Sequence, residues 1–131
     1  MRKIILASAS PRRRELLEQI GAVFEVCPAK GEEKITKTDP GEAVEELSLG
    51  KCREIFSEQK DDVTVIGADT IVTLDGKILG KPSSQEDAVK MLSMLRGRSH
   101  QVFTGVTVMS REGENVQTLT FHESSPVSYT H

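Results

Sequence analysis

The stretch from Ile4 to Gly21 constrains the fold more than any other, because it reads as strand, turn and helix in immediate succession. Ile4, Ile5, Leu6 and Ala7 form an uninterrupted apolar run suited to a strand buried on both faces. Ser8, Ala9 and Ser10 break it. Ser10 is a natural N-cap and Pro11 fits the first helical position, where its missing N–H costs nothing; Leu16, Leu17 and Ile20 supply a core-facing stripe that Gly21 ends. Arg12, Arg13 and Arg14 then break a local rule three times. Cations in a first turn oppose the helix macrodipole at roughly 0.3–1 kcal/mol each, so the cluster calls for an anion opposite it, and phosphate is the usual one at a helix N-terminus. Ser8, Ser10 and the free amides would donate hydrogen bonds, while the arginines add charge and bidentate geometry. The alternative is a solvated basic turn with Arg14 paired to a nearby acid; Arg14 is the bystander either way.

A chain of 131 residues suffices for one domain, 1–131, burying roughly two-thirds of its unfolded surface. With 28% charged and 37% hydrophobic residues it reads as a soluble globular protein. No apolar run approaches membrane-spanning length and no signal-peptide pattern opens the chain, so a cytoplasmic location without membrane contact is expected. Cys27 and Cys52 fit no metal motif or disulfide framework and are expected to be reduced thiols. A net charge of -3 argues against general nucleic-acid binding and leaves the arginines as a local site for a small anion.

Val23 to Cys27 reads as a second strand, and Pro28 to Pro40 as a polar loop carrying Glu32 and Glu33. Asp39-Pro40 caps a helix running to about Ser57, with Val44, Leu47 and Ile55 on one face. Lys51 falls on that same face, where its ammonium either snorkels out or points into a polar cleft. Val63 to Ala68 is a strongly apolar strand followed at once by Asp69-Thr70; Ile71–Leu74 and Lys77–Leu79 flank an Asp75-Gly76 hairpin turn. Ser83 to Glu86 has capping-box spacing ahead of a helix with Ala88, Met91, Leu92 and Leu95 inward. Arg98 to Gln101 is a polar bridge into a strand, Val102 to Met109, which turns at 112–115 toward an antiparallel partner, Val116 to Glu123. The pattern predicts an α/β domain with a mixed sheet flanked by helices.

Asp69, directly after a buried strand, stands where ligands gather in open α/β sheets, and can bind a metal or act as a general base on water; the alternative is a carboxylate bonding its own turn. Lys81 in Gly80-Lys81-Pro82 fails the triphosphate-loop spacing and is at most a point charge for phosphate; Arg98 is a similar candidate, though a cation is favourable at a helix C-terminus by itself. His100 and His122 have no partner at metal-ligand spacing and are expected to be structural or exposed. Together Ser8, Arg12, Arg13, Lys51, Lys81 and Arg98 supply positive or donor groups, and Glu33 and Asp69 supply carboxylates. That inventory suits a polyphosphate-cleaving site using Mg²⁺, which prefers one or two carboxylates plus substrate oxygens.

Four ordered segments carry a family resemblance: Leu6-Ala7-Ser8-Ala9-Ser10-Pro11-Arg12-Arg13, Gly67-Ala68-Asp69-Thr70-Ile71-Val72, Gly80-Lys81-Pro82 and Gly97-Arg98-Ser99-His100-Gln101-Val102. In order and spacing they resemble the Maf-like nucleoside triphosphate pyrophosphatases, also called septum formation inhibitor proteins. The resemblance implies an α/β fold with a deep cleft, a cytoplasmic address, a homodimer, and hydrolysis of a nucleoside triphosphate to monophosphate and pyrophosphate with a divalent cation, Mg²⁺ first and Mn²⁺ second. It implies catalytic roles for Asp69 as proton acceptor and for Lys51 and Lys81. Ser8, Arg12, Arg13, Thr70 and Arg98 would bind substrate, and Glu33 and Asp69 would hold metal. Arg12 after Ser-Pro and Thr70 after Asp69 resemble the branch acting on dTTP and UTP. Arg96 departs from the small serine usual there, and the family's further C-terminal segment, linked to base choice, has no match here, so the chain resembles a truncated member. Two other readings stand beside it: a regulator of division that binds nucleotides without turning them over, and a nucleic-acid binder through Arg12 to Arg14.

Overall fold

The opening apolar run does enter a sheet, and the cap at Asp39 does start a long helix. The computed structural model describes residues 3–8, 11–31, 35–74, 77–79, 85–86, 89–90 and 99–128. In chain order the elements are β1 (Lys3–Leu6), α1 (Pro11–Gln19), β2 (Glu25–Val26), α2 (Pro40–Ser57), β3 (Val63–Leu74), β4 (Lys77–Leu79), β5 (Ser99–Glu112) and β6 (Asn115–Ser128). They form one mixed sheet in the order β2-β1-β3-β5-β6, with β4 also on β3. β1 runs parallel to β2 and β3, whereas β4 and β5 run antiparallel to β3, and β6 antiparallel to β5. The expected mixed α/β architecture is therefore observed.

Helix α2 sets the core. The Asp39 carboxylate accepts the Glu42 amide at 2.9 Å, Pro40 occupies the first turn, and the residues spaced three or four apart, Val44, Leu47, Ser48, Cys52, Ile55 and Phe56, are buried. They divide into two apolar clusters. Cys52, Ile55 and Phe56 pack with Ile5, Ala7, Val63, Val65 and Met109; Ala43, Val44 and Leu47 pack with Ile71. Burying each of the large aliphatic side chains contributes roughly 1.5–3 kcal/mol. Two glycines let the helix lie directly on the strands. A Cβ on Gly67 would stand 2.6 Å from the Ser48 carbonyl oxygen, and one on Gly105 would stand 2.7 Å from the Val44 carbonyl carbon. A buried hydroxyl pair bridges the same interface, Ser48 to Thr107 at 2.9 Å, and Thr107 continues to Thr120 on β6 at 3.0 Å.

Several expectations need correction. Leu16 and Ile20 do not face the core: they are 54% and 76% exposed. Their helix is turned so that Arg13 and Leu17, four apart and both half-buried, face inward, because the Arg13 side chain reaches β3. β3 does not stop at Ala68 but continues to Leu74, since β5 pairs with it along its whole length and carries Asp69 and Thr70 inside the ladder. The segment read as a polar bridge is the start of β5, where His100 is buried opposite Leu74. The second strand shrinks to two exposed residues. The β5–β6 hairpin turns as expected, with Glu112 opposite Asn115 and Gly113 at φ 62°, but its arms are longer than the alternating pattern indicated. The Ser10 cap, the Asp75-Gly76 turn and most of the Ser83–Leu95 helix lie outside the described residues.

Candidate active site

The sheet leaves a notch in one edge of β3. On one side β5 pairs with every residue from Val63 to Leu74. On the other, β1 covers Val63 to Ile66 and β4 covers Val72 to Leu74, so Gly67, Ala68, Asp69, Thr70 and Ile71 have no neighbouring strand there among the described residues. Five residues of strand make an opening of roughly 17 Å. It begins where β1 ends, at the Ala7 amide bonded to the Ile66 carbonyl at 2.8 Å, and the chain leads from it through buried Ser8 into the first turn of α1. The crevice beyond a parallel strand's carboxyl end is thus present, although Asp69 reaches it from mid-strand rather than from a strand end.

Asp69 is 5% exposed. Its Oδ1 accepts the Thr70 amide at 2.8 Å, a donor the notch leaves without a strand partner. Its Oδ2 lies 2.9 Å from Lys51 Nζ, an ion pair by distance in which Oδ2 has no aligned hydrogen bond. Lys51 therefore points into the polar cleft and does not snorkel to solvent. The local alternative weighed for Asp69 is realised in its bond to the adjacent Thr70 amide, and the carboxylate also faces a cationic group from another element.

Alternation along β3 sends Thr70 to the opposite side from Asp69. There Arg13 Nη2 donates to Thr70 Oγ1 at 2.5 Å, and Nη1 donates to Ser8 Oγ at 3.4 Å. Burial pulls the Arg13 guanidinium below its ordinary value, and the Asp69 charge acts against that shift. So α1 and α2 approach neighbouring residues of β3 from its two faces, each delivering one cation. Arg14 instead pairs with Glu18 at 3.2 Å on the exposed side, which makes it the bystander expected.

Lys51 also borders a cavity of about 360 Å³ between α2 and the segment after β2, lined by Ala29, Gly31, Thr36, Leu47, Lys51 and Glu54 among others. Two carboxylates of α2 hold that segment. Glu54 accepts the Lys30 and Gly31 amides, each at 2.6 Å; Glu46 accepts the Thr36 amide at 2.7 Å and the Thr36 hydroxyl at 2.5 Å. Neither glutamate stood out in the sequence, since an exposed acid on a helix reads as a solvated charge.

Of the residues singled out from sequence, Ser8, Arg13, Lys51, Asp69 and Thr70 converge on the notch. Arg12 lies in the first turn of α1. Glu33, Lys81 and Arg98 lie outside the described residues. Cys52 is a core thiol whose Sγ bonds the Val65 carbonyl at 3.2 Å, and burial pushes it up to about 11, so it stays protonated and inert. His122 is partly exposed and meets Glu45 through Nδ1, a structural contact as expected. Among the described residues no three His, Cys, Asp or Glu side chains group to hold a metal, and no helix is long and apolar enough to cross a membrane.

The sheet order defines an α/β protein whose fold is similar to that of HAM1 proteins. HAM1 from Coxiella burnetii matches with a TM-score of 0.59 at 17% identity, over 96% of this chain and 72% of that one, and Ham1 from Staphylococcus aureus matches with the same score over 95% and 70%. The family model for Maf-like protein matches residues 3–131, and the chain belongs to that family. It is 51% identical to the dTTP/UTP pyrophosphatase of Agathobacter rectalis, covering 98% of this chain and 69% of that protein. It is 45% identical to the dTTP/UTP pyrophosphatase of Bacillus thuringiensis subsp. konkukian, over 98% and 65%. The chain thus spans about two-thirds of the length of these relatives.

Proposed function

We propose that this protein hydrolyses nucleoside triphosphates of the dTTP and UTP type to the monophosphate and pyrophosphate. One observation carries the reading: a buried carboxylate, Asp69, stands in an open strand edge with Lys51 at 2.9 Å and the Arg13–Thr70 contact on the adjacent residue. The names of the two relatives supply the nucleotide class.

Arg13, with Arg12, Ser8 and the free amides opening α1, neutralises the triphosphate and aligns it along the notch. Lys51 pairs with Asp69 until substrate phosphate offers the ammonium a second anion, and Lys81 adds a further charge. Asp69 then takes a proton from water as the water oxygen bonds the α-phosphorus. The bond from that phosphorus to the oxygen bridging the β-phosphate breaks, and the electron pair leaves with pyrophosphate. The side chains suit a divalent cation, because Asp69 Oδ2 is buried without an aligned hydrogen bond and Mg²⁺ needs only one or two carboxylates. Asp69 and Glu33 would hold Mg²⁺, or Mn²⁺ in its place, and the cation would offset charge on the phosphate oxygens. The family resemblance extends the reading to a cytoplasmic homodimer.

The test is release of pyrophosphate, distinguished from orthophosphate, across a panel of nucleotides with and without Mg²⁺. Pyrophosphate from dTTP and UTP ahead of purine nucleotides is the expected result. Binding of those nucleotides with no release under any metal would replace the enzyme with a nucleotide-binding regulator.

A further inference from the structure

We propose that His122 is a positioning residue for the Lys51–Asp69 pair, acting through Glu45 and the body of α2. The inference rests on the pyrophosphatase reading and deepens it. Register puts the two places on one line: Asp69 of β3 stands opposite Gly105 of β5, and Gly105 stands opposite His122 of β6. Residues paired across neighbouring strands share a face, so Asp69 and His122 both face α2, roughly 10 Å apart with a glycine between them. Helix α2 lies across this row and grips both of its ends. Glu45 Oε2 meets His122 Nδ1 on β6, and Lys51 Nζ meets Asp69 Oδ2 on β3. The imidazole is itself held on two further sides, by the Phe103 ring with centroids 6.4 Å apart and by the backbone of Gly41, where a Cβ would stand 2.7 Å from His122 Cε1.

What this double grip resists is a roll of the helix. Glu45 and Lys51 are six residues apart, roughly 9 Å along the axis and about 240° around it, so their side chains leave the helix on different sides. Between them α2 rests on bare backbone at Gly105 and Gly67, a seat that fixes its height above the sheet and offers no side chain to oppose rolling. The buried Ser48–Thr107 bond lies under the helix, close to the line about which it would roll. A group at a helix's outer radius of roughly 5–6 Å moves by about 1 Å for a roll of about 10°. That takes an ion pair of 2.9 Å out of hydrogen-bond range. Arg13 is untouched by such a roll, because it reaches Thr70 from α1 on the opposite face of the sheet. Losing the His122 contact therefore impairs the Asp69 side of the site and spares the guanidinium side.

The experiment compares the wild type with His122→Ala, Glu45→Ala, Gly41→Ala and the double variant Glu45→Ala/His122→Ala. Gly41→Ala keeps both partners and crowds the imidazole, the end of a side chain that can swing aside. Steady-state pyrophosphate release from dTTP should show kcat lowered about tenfold in each single variant, KM near the wild-type value, and no further loss in the double variant. A second measurement needs no turnover. The coupling between Lys51 and Asp69, read by urea denaturation of Lys51→Met, Asp69→Asn and their combination, should be weaker in a His122→Ala background than in the wild type. A purely structural role would lower the thermal midpoint and leave kcat and the coupling at wild-type values, which overturns the inference while sparing the pyrophosphatase reading. Additive losses in the double variant also overturn it. A weakened coupling in a protein that releases no pyrophosphate from any nucleotide overturns the pyrophosphatase reading and sustains the positioning of Lys51 by His122. Should His122→Ala fail to fold, Gly41→Ala retains the ring and must show the same loss of kcat and of coupling.

Discussion

Lys51 Nζ lies 2.9 Å from Asp69 Oδ2, and this one approach ties the middle of α2 to the open edge of β3. The two side chains are 20% and 7% exposed, so each charge has given up most of its water for the other. Removing the cation alone leaves a buried charge uncompensated. Lys51→Met should therefore cost about 3 kcal/mol, and adding Asp69→Asn should recover much of it. Urea denaturation of the two single variants and the double variant checks the coupling; additive losses would mean the pair contributes nothing as a pair.

The close seat of α2 predicts that a single methyl will disturb both stability and the site. At Gly67 an added Cβ meets the Ser48 carbonyl and the Cys52 backbone nitrogen, the latter at 2.9 Å, and neither is a flexible side chain that could swing aside. Gly67→Ala should destabilise by about 1–3 kcal/mol and lower turnover by moving Lys51 off Asp69, whereas Gly50→Ala, with open space around its Cβ, should fold normally. Thermal melts paired with nucleotide-binding titrations separate the two effects.

Arg13 should act in substrate binding with a geometry lysine cannot copy. Its two terminal nitrogens reach Thr70 and Ser8 at once, a fork that a single ammonium lacks. Arg13→Lys is expected to raise KM about tenfold, the equivalent of about 1.4 kcal/mol, and Thr70→Val to raise it less because only the orienting bond is lost. Steady-state kinetics at saturating Mg²⁺ reads this, and an unchanged KM in Arg13→Lys would remove the guanidinium from the site.

Acid should release the hold of Glu46 on Thr36. Glu46 is held below the ordinary glutamate value of 4.5 by the Thr36 hydroxyl and amide. A depressed folded value means that the anchor contributes fully above the ordinary value and is lost as pH falls through the lower one. Exchange at the Thr36 amide should accelerate, relative to its intrinsic rate, on acidification below pH 4.5. In Glu46→Gln the protection should already be gone at neutral pH.

Much of this was legible before any coordinates, and the parts that were not share a cause. Asp39-Pro40 with Val44, Leu47 and Ile55 specified α2 because capping and the helical period are local properties. Arg12 to Arg14 flagged a site because three cations in a first turn contradict the local rule. The orientation of α1 was missed because Leu16 and Ile20 promised a buried stripe, whereas the long-range bond from Arg13 to Thr70 turns the helix the other way. The strand through Asp69 was cut short because Gly67-Ala68-Asp69-Thr70 has little strand propensity, and its place in the ladder comes from pairing with Thr104 to Thr107, more than thirty residues away. Glu46 and Glu54 carried no signal, since what they hold is backbone, and backbone amides look alike in a sequence.

The central claim is that Asp69 removes the proton from the attacking water. Pyrophosphate release from dTTP by Asp69→Asn, measured beside the wild type at matched nucleotide occupancy, tests it most directly. The account predicts that the variant folds and still binds nucleotide, while turnover falls by a factor on the order of 10²–10⁴. Release at the wild-type rate by a folded, nucleotide-bound Asp69→Asn protein would contradict it.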